Sequence, residues 1–432
     1  MMPATAGSSA ERRTSTLPGS GESGRGKLRS RCSMRVAKSG IETISRVGHG
    51  YAGPLKKADL CRRMRPSPPP APSIRHQLVT WLLLPLSWLY AAVLAVRNWL
   101  YDRGWKASAA GWVPLVGVGN LRVGGTGKTP HVVWVVEELL RQGQRPAILS
   151  RGYGRQTRGP RLATAADSAA TVGDEPWQYF TQFSTLGVPV AVAENRQLGL
   201  DLLRQHHPEL TTVVLDDAYQ HRRVQPTLNI LLTELARPFY HDHVLPAGRL
   251  RETRAGAARA DVVIITKCPP DLGAAAQGEV TTQVRRYARS GVPVLFSAYD
   301  YAAPQPLTAA AQTLGAPRTG QPALLLTGIA QPGPLREHLL AVGFLLAEEL
   351  VFPDHHAFTP ADLGAVRARW QPGQAIFTTE KDATRLLAPA LAETLAGLPV
   401  YTIPVRVALL GAGAAQLRQL LPGASPSSLV LL

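Results

Sequence analysis

A glycine-rich turn ending in Gly-Lys-Thr carries the plainest chemistry in this sequence. Residues 113–120 are a short apolar run, residues 121–127 a turn containing Gly124, Gly125, Thr126 and Gly127, and Lys128-Thr129-Pro130 opens an apolar segment of helical character. A glycine loop between a strand and a helix leaves backbone N–H groups free to face a phosphate chain, and the helix N-terminus adds partial positive charge. In such a Walker A loop Lys128 lies against the outer phosphates of a nucleotide and Thr129 offers its hydroxyl to Mg²⁺. Arg122 stands where the strict pattern has its first glycine, so Gly119, Gly124 and Gly125 supply the flexibility. Arg122-Val123 also replaces the Gly-Lys of ATPases that carry Gly-Lys-Gly-Gly before Gly-Lys-Thr, which argues against that class.

A second acidic element fits the first. Residues 212–215, Thr-Val-Val-Leu, end in Asp216-Asp217, and a buried strand that delivers carboxylates to the C-terminal edge of a sheet is what a magnesium site needs. Asp216, and with less weight Asp217, are read as magnesium-side residues. Arg151 and Arg155, within Arg-Gly-Tyr-Gly-Arg after an apolar run, make either an anion-facing loop or a solvated turn. Asp174-Glu175 before Pro176 reads first as a helix cap. Asp354-His355-His356 is the densest chemical segment of the last third, with metal binding, proton handling and a satisfied loop all open. Thr266-Lys267-Cys268 is followed by Pro269 rather than Asp, so guanine specificity is not supported.

The elements that must position these groups alternate. Apolar runs near residues 146–150, 188–192, 228–233, 261–267 and 292–297 are separated by helical segments, a pattern of parallel β-α-β units. The expected fold is α/β: a P-loop NTPase-like doubly wound sheet over residues 104–305, a smaller C-terminal α/β lobe over 306–432, and an N-terminal membrane helix over 76–103. Residues 78–96 contain no charge in nineteen positions, about the length that crosses a hydrocarbon core of roughly 30 Å. Trp81 and Trp99 stand near the ends, where aromatic rings sit at headgroup depth. Arg62, Arg63, Arg65 and Arg75 precede the run and Arg97 and Arg103 follow it, so charge asymmetry leaves open whether it spans or lies on a bilayer.

The whole chain, 432 residues at 45% hydrophobic, has room for two cored domains. Its net charge of +17 is concentrated: residues 1–75 hold 15 Lys and Arg against 4 Asp and Glu. That segment is expected to be a disordered basic tail or a start-site extension, with Met34 and Met64 as later starts. The body is only mildly basic and has no aromatic-interleaved basic patch, so no nucleic-acid partner is expected. Cys32, Cys61 and Cys268 show no metal spacing and fit a reducing compartment.

Taken together the motifs resemble the tetraacyldisaccharide 4′-kinases of lipid A biosynthesis. The resemblance runs from about residue 78 to 403. It rests on Pro85-Leu86-Ser87-Trp88-Leu89-Tyr90, Val118-Gly119-Asn120-Leu121 into Gly124–Pro130, Leu149-Ser150-Arg151-Gly152-Tyr153-Gly154-Arg155, Gly173-Asp174-Glu175-Pro176, Leu215-Asp216-Asp217-Ala218-Tyr219-Gln220-His221, Leu250-Arg251-Glu252, Asp354-His355-His356 and Thr378-Thr379-Glu380-Lys381-Asp382. Ala218 stands where the family often has glycine. The resemblance implies transfer of the γ-phosphate of ATP, with Mg²⁺, to the 4′-hydroxyl of a lipid disaccharide 1-phosphate. It also implies an anchored enzyme on the cytoplasmic face of the inner membrane of a Gram-negative bacterium, and a monomer is expected. It makes Asp174 the general base with His355 as partner and His356 as the alternative, and puts Asn120, Glu175, Gln220 and His221 at the substrate or magnesium. Arg151, Arg155, Arg249 and Arg251 become candidates for the sugar 1-phosphate. Nucleotide and acceptor are then expected between two lobes that close. The competing expectation is a membrane-tethered P-loop ATPase or metallochaperone that turns ATP over without a lipid acceptor.

Overall fold

The computed structural model describes residues 74–423. Most of the expected basic tail, with Cys32, Cys61, Arg62, Arg63 and Arg65, lies outside those residues. The described chain begins with helix α1 (Ile74–Asp102) and continues into a nine-stranded sheet. In chain order its strands are β1 (Leu115–Asn120), β2 (Pro146–Ser150), β3 (Arg161–Leu162), β4 (Val190–Val192), β5 (Thr212–Asp216), β6 (Leu228–Glu234), β7 (Val262–Thr266), β8 (Val294–Tyr301) and, after an excursion, β14 (Val405–Leu409). Across the sheet the order is β14-β8-β7-β6-β1-β5-β2-β4-β3. The seven strands from β8 to β4 are parallel, and the two edges, β14 and β3, are antiparallel.

Parallel strands buried on both faces should be apolar at nearly every position. β1, β2, β5 and β7 are buried throughout. One face, with Val116, Val118, Ile148, Val214, Ile230 and Ile264, packs on Val132, Val136 and Leu139 of α2 (Lys128–Arg141) and Tyr179 and Phe183 of α3 (Asp174–Phe183). The alternate residues Leu115, Ala147, Leu149, Val213 and Leu215 pack on Leu200 and Leu203 of α4 (Arg196–His206). Further along that face Leu231, Val263 and Ile265 meet Val284 of α5 (Ala274–Arg285) and Phe239. The sheet is therefore doubly wound, and β1, with β6 on one side and β5 on the other, delivers the glycine loop at its centre.

A five-stranded sheet forms the second lobe: β9 (Gln305–Pro306), β10 (Pro322–Thr327), β11 (Leu345–Val351), β12 (Ala375–Thr379) and β13 (Val400–Ile403), in the order β9-β13-β12-β10-β11. Helices α6 (Gly333–Val342), α7 (Pro360–Arg369) and α8 (Glu380–Leu386) accompany it. The boundary drawn from sequence is corrected at its far end. After β13 the chain returns to the first sheet, where β14 pairs antiparallel with β8, and Leu417 of α9 (Gly413–Leu420) joins the first core. Residues 405–423 thus belong to the P-loop sheet rather than to the smaller lobe, and two chain crossings, at 301–305 and 403–405, link the sheets. Cys268 is buried, and burial pushes its thiol up to about 12.

Candidate active site

The glycine loop is braced from beneath. Gly127 caps α2 with φ 88°, in the left-handed region, and a Cβ there would lie 2.7 Å from the Tyr299 hydroxyl. Glycine is needed at this position on both counts. The Asn120 Nδ2 donates to Thr126 Oγ1 at 2.6 Å, and Thr266 Oγ1, from β7, donates to the Thr126 carbonyl at 2.9 Å. Buried His131 places Nδ1 2.7 Å from the Gly127 carbonyl and Nε2 3.0 Å from Ser297 Oγ. Burial lowers its pKa to about 4, so it is neutral at pH 7. Asn120 is fully buried, which corrects its expected place among the substrate contacts: it shapes the loop.

At the end of β5 the two carboxylates are driven apart. Asp216 is buried, accepts from Ser150 Oγ at 2.9 Å, and is pushed up to about 6 by burial and by the charge of Asp217. Asp217, φ 48°, faces Arg251, whose Nη1 reaches both oxygens at 2.8 and 2.9 Å, and Lys128, whose Nζ is 3.7 Å away. Burial works against its ionised form, but Lys128 and Arg251 outweigh it and hold Asp217 below the usual carboxylate range. Asp216 is thus the carboxylate whose charge the protein leaves least compensated. Folded Asp216 retains a proton to higher pH than the unfolded chain does, so its ionisation costs stability progressively as pH rises from about 4 through 6. Asp216→Asn is expected to raise the melting temperature of the ligand-free protein at pH 8 by about 2 °C or more, a gain that shrinks toward pH 4. A scan at both pH values checks this, and an unchanged or lower melting temperature at pH 8 refutes it.

Behind the carboxylates several expected substrate residues are engaged within the protein. Gln220 Nε2 donates to the Asn120 carbonyl at 2.8 Å and to Glu252 at 3.0 Å. His221 accepts from the Arg196 backbone N–H at 3.3 Å, and burial and nearby arginines lower its pKa to about 4. Arg155, expected at the sugar 1-phosphate, has a side chain that is 2% exposed and whose Nη2 donates to Glu194 and the Gly159 carbonyl. Arg251 is committed to Asp217, whereas Arg151 and Arg249 are exposed. Sequence reading missed Arg196, buried at 1% exposure, whose guanidinium donates to the carbonyls of Ala193 and Asp216 and so fixes the turn after β5.

The second lobe reaches this edge at α3. Gly173, φ 100°, caps α3, so Asp174 and Glu175 occupy the first helical turn rather than capping it, as the residue-level reading had expected. Asp174 Oδ2 lies 3.1 Å from Nδ1 of His355, in the loop after β11, and 3.6 Å from Nε of Arg385 on α8. Glu175 pairs with Lys381 at 3.3 Å. The two adjacent histidines face different partners. His355, φ 61°, turns toward Asp174, while His356 stacks on Phe352 and bonds Asp362 at 3.0 Å. The same helix α3 also runs beside the phosphate-loop edge, where the charge of Glu175 contributes to raising Asp216. Walker loop, carboxylate pair and lobe-bridging Asp174 therefore share one edge of the sheet.

A family model described as tetraacyldisaccharide-1-P 4′-kinase (LpxK) matches residues 79–422. The chain belongs to the tetraacyldisaccharide 4′-kinase family. It is 42% identical to the tetraacyldisaccharide 4′-kinase of Bacteroides thetaiotaomicron, covering 76% of this chain and 88% of that one. The Cytophaga hutchinsonii kinase is 40% identical over 76% and 91%. Among solved structures, LpxK from Aquifex aeolicus in complex with ATP superposes with a TM-score of 0.60 at 27% identity, covering 79% of this chain and 98% of that one. As a member of this kinase family the chain is an ATP-dependent lipid-sugar kinase of lipid A biosynthesis, and the P-loop α/β fold expected from its motifs is the fold it has.

Proposed function

We propose that Asp174 removes the proton of the acceptor's 4′-hydroxyl while the loop at residues 124–129 holds ATP, in a cleft closed by His355 of the second lobe. The observation that carries this reading is the 3.1 Å contact between Asp174 and His355, which joins the lobes at the edge where the phosphate loop ends. In phosphoryl transfer most of the rate comes from positioning and from neutralising charge on the phosphoryl oxygens. Lys128 is placed for the second task, and Asp174 for the first and for the proton. Thr129, Asp216 and Asp217 offer hard oxygen donors suited to Mg²⁺, and the poorly compensated charge of Asp216 fits a site completed by a cation. A bound Mg²⁺ would supply charge neutralisation between the nucleotide phosphates. Arg151 and Arg249, exposed and without a side-chain partner among the described residues, are the leading candidates for the sugar 1-phosphate, while Arg155 and Arg251 are paired with Glu194 and Asp217.

Membrane attachment belongs to the same reading. Within Val79–Asp102 an eighteen-residue window has mean hydropathy 1.9, and only 6% of that window is buried. Leu82 is 79% exposed, Trp88 66% and Leu89 66%, an apolar surface that water would not tolerate over such a length. The helix is nevertheless tied to the rest of the protein near its middle and C-terminal end: Ser87 accepts from the Ala247 N–H at 2.9 Å, Arg97 donates to the Gln220 carbonyl at 2.8 Å, and Asn98 to Glu252 at 3.2 Å. The lipid face of α1 is therefore continuous with the loop after β5, which suits a substrate that stays in the bilayer on the cytoplasmic side of the inner membrane. Replacing Leu82, Trp88 and Leu89 together by serine is expected to move most of the protein from floated vesicles to the soluble fraction, with melting temperature unchanged; retention on the vesicles refutes attachment through this face. The function itself is tested by incubating the protein with labelled ATP, Mg²⁺ and a tetraacyldisaccharide 1-phosphate and separating the lipid phase. Label in the lipid supports the acceptor reading, and ATP turnover independent of lipid supports an ATPase.

A further inference from the structure

Helix α8 brings a second cation to the lobe seam, where the reaction as described has no use for it. Lys381 Nζ is 3.0 Å from His355 Nε2, 3.3 Å from Glu175 Oε1 and 3.6 Å from Asp354 Oδ1. An ammonium donates and cannot accept, so at this distance Nε2 must present its lone pair. A neutral imidazole that accepts at Nε2 carries its proton at Nδ1, and Nδ1 faces Asp174 Oδ2 at 3.1 Å. An imidazolium would set an N–H against the ammonium and bring two positive charges together. The opposite tautomer would need an acceptor for Nε2–H, and Asp354 Oδ2, at 3.9 Å, is too far. The remaining neighbour of the ring is the edge of Tyr153, centroids 6.2 Å apart.

The two oxygens of Asp174 are correspondingly unequal. Oδ2 faces both His355 Nδ1 and Arg385 Nε, and Arg385 is itself fixed by Asp382 at 2.6 Å and by the carbonyls of His356 and Gly328 at 3.0 and 3.2 Å. Oδ1 has no partner among the described residues.

We propose that Lys381 is a positioning residue for phosphoryl transfer: by donating to His355 Nε2 it holds the ring as the neutral Nδ1–H tautomer, which binds Asp174 Oδ2 and leaves Oδ1 to take the acceptor's proton. The inference rests on the base role of Asp174 proposed above. In the step itself the hydroxyl proton passes to Asp174 Oδ1, the oxygen's electron pair bonds to the γ-phosphorus, and the bond from that phosphorus to the leaving diphosphate breaks. His355 neither gains nor loses a proton, because its only lone pair is held by Lys381. Lys381 also clamps Glu175 of α3 to Asp354 of the second lobe, so the ring whose tautomer it sets is held against Asp174 where the lobes meet.

The test is a ¹H–¹⁵N correlation spectrum of the full-length protein in detergent with ¹⁵N-histidine, the His355 signals identified by their loss in His355→Gln. The wild type is expected to show His355 with a protonated Nδ1 and a bare Nε2. An Nε2–H tautomer or an imidazolium there overturns the proposal without requiring any Lys381 variant to fold. Lys381→Met, which keeps the length but not the donor, is expected to lose that signature and to lower kcat by about tenfold or more, with KM for ATP within about twofold. Lys381→Arg, which can still donate, is expected to restore kcat to within about threefold of wild type. An unchanged signature or unchanged kcat in Lys381→Met overturns the proposal. Asp174→Ala separates the two readings: if it is inactive while wild-type His355 shows the wrong tautomer, the base stands and the role of Lys381 falls, and if it is active the base itself falls.

Discussion

Asp174→Ala is expected to lower turnover of the lipid acceptor by about a hundredfold or more, with the fold retained and ATP still bound. The carboxylate begins α3 behind a glycine of positive φ, so removing it leaves the helix start intact. Its partners do not collapse with it. Arg385 keeps Asp382 and two carbonyls, and His355 keeps Lys381. What is lost is the acceptor for the sugar proton and one of the links between lobes, so a rise in KM for the lipid accompanies the fall in kcat. Asp174→Asn divides these contributions. Its amide oxygen still accepts from His355 Nδ1, which preserves the link, but an amide cannot take a proton at neutral pH. Both variants are therefore expected to have similarly low kcat, with KM nearer wild type in Asn. Near-normal turnover in either removes Asp174 from the role of base and leaves positioning and charge neutralisation as the whole of catalysis.

The parts of this site that were legible in the sequence are those whose chemistry is local. The glycines, Lys128 and Thr129 follow one another between a strand and a helix, and Asp216 ends a β-branched run, so periodicity and spacing locate them without knowledge of the fold. The same holds for the alternation of strands and helices. Contacts made over long separations were not legible. Arg155 sits in an apparently anion-facing glycine loop, but its partner Glu194 lies 39 residues on. The resemblance puts Asn120 at the substrate or magnesium, and only the approach of Thr126 shows that it is buried in the loop's support. His355 and His356 differ by one position and have the same side chain. What distinguishes them is a backbone turn with φ 61° and the ring of Phe352 beneath the second. Residues 405–409 fall within the stretch assigned from sequence to the smaller lobe, since pairing with β8, more than a hundred residues earlier, leaves no mark in a local pattern.

The other large effect belongs to Lys128. Lys128→Ala is expected to reduce kcat/KM by about 10²–10³-fold, because the ammonium is the phosphate loop's own side-chain cation at the position where the outer phosphates would lie. In the ligand-free protein it is 17% exposed and stands 3.7 Å from Asp217, so it also belongs to the balance that separates the two carboxylates. With Lys128 gone, Asp217 keeps Arg251, but Asp216 loses a neighbour that lowers its pKa. The variant is accordingly expected to fold with a modestly lower melting temperature at pH 8, a deficit that narrows toward pH 5 as Asp216 takes up a proton. Lys128→Arg is not expected to rescue activity, since the broad planar guanidinium does not replace a compact ammonium in a loop closed by Gly127 against Tyr299. Combining Lys128→Ala with Asp216→Asn sharpens the point. Removing the poorly compensated carboxylate should restore the melting temperature, which isolates the lysine's part in the electrostatic balance; turnover is not the readout of this double variant, because Asp216 is itself placed at the magnesium. A melting temperature that stays low in the double variant would mean that Lys128 stabilises the fold by some route other than Asp216.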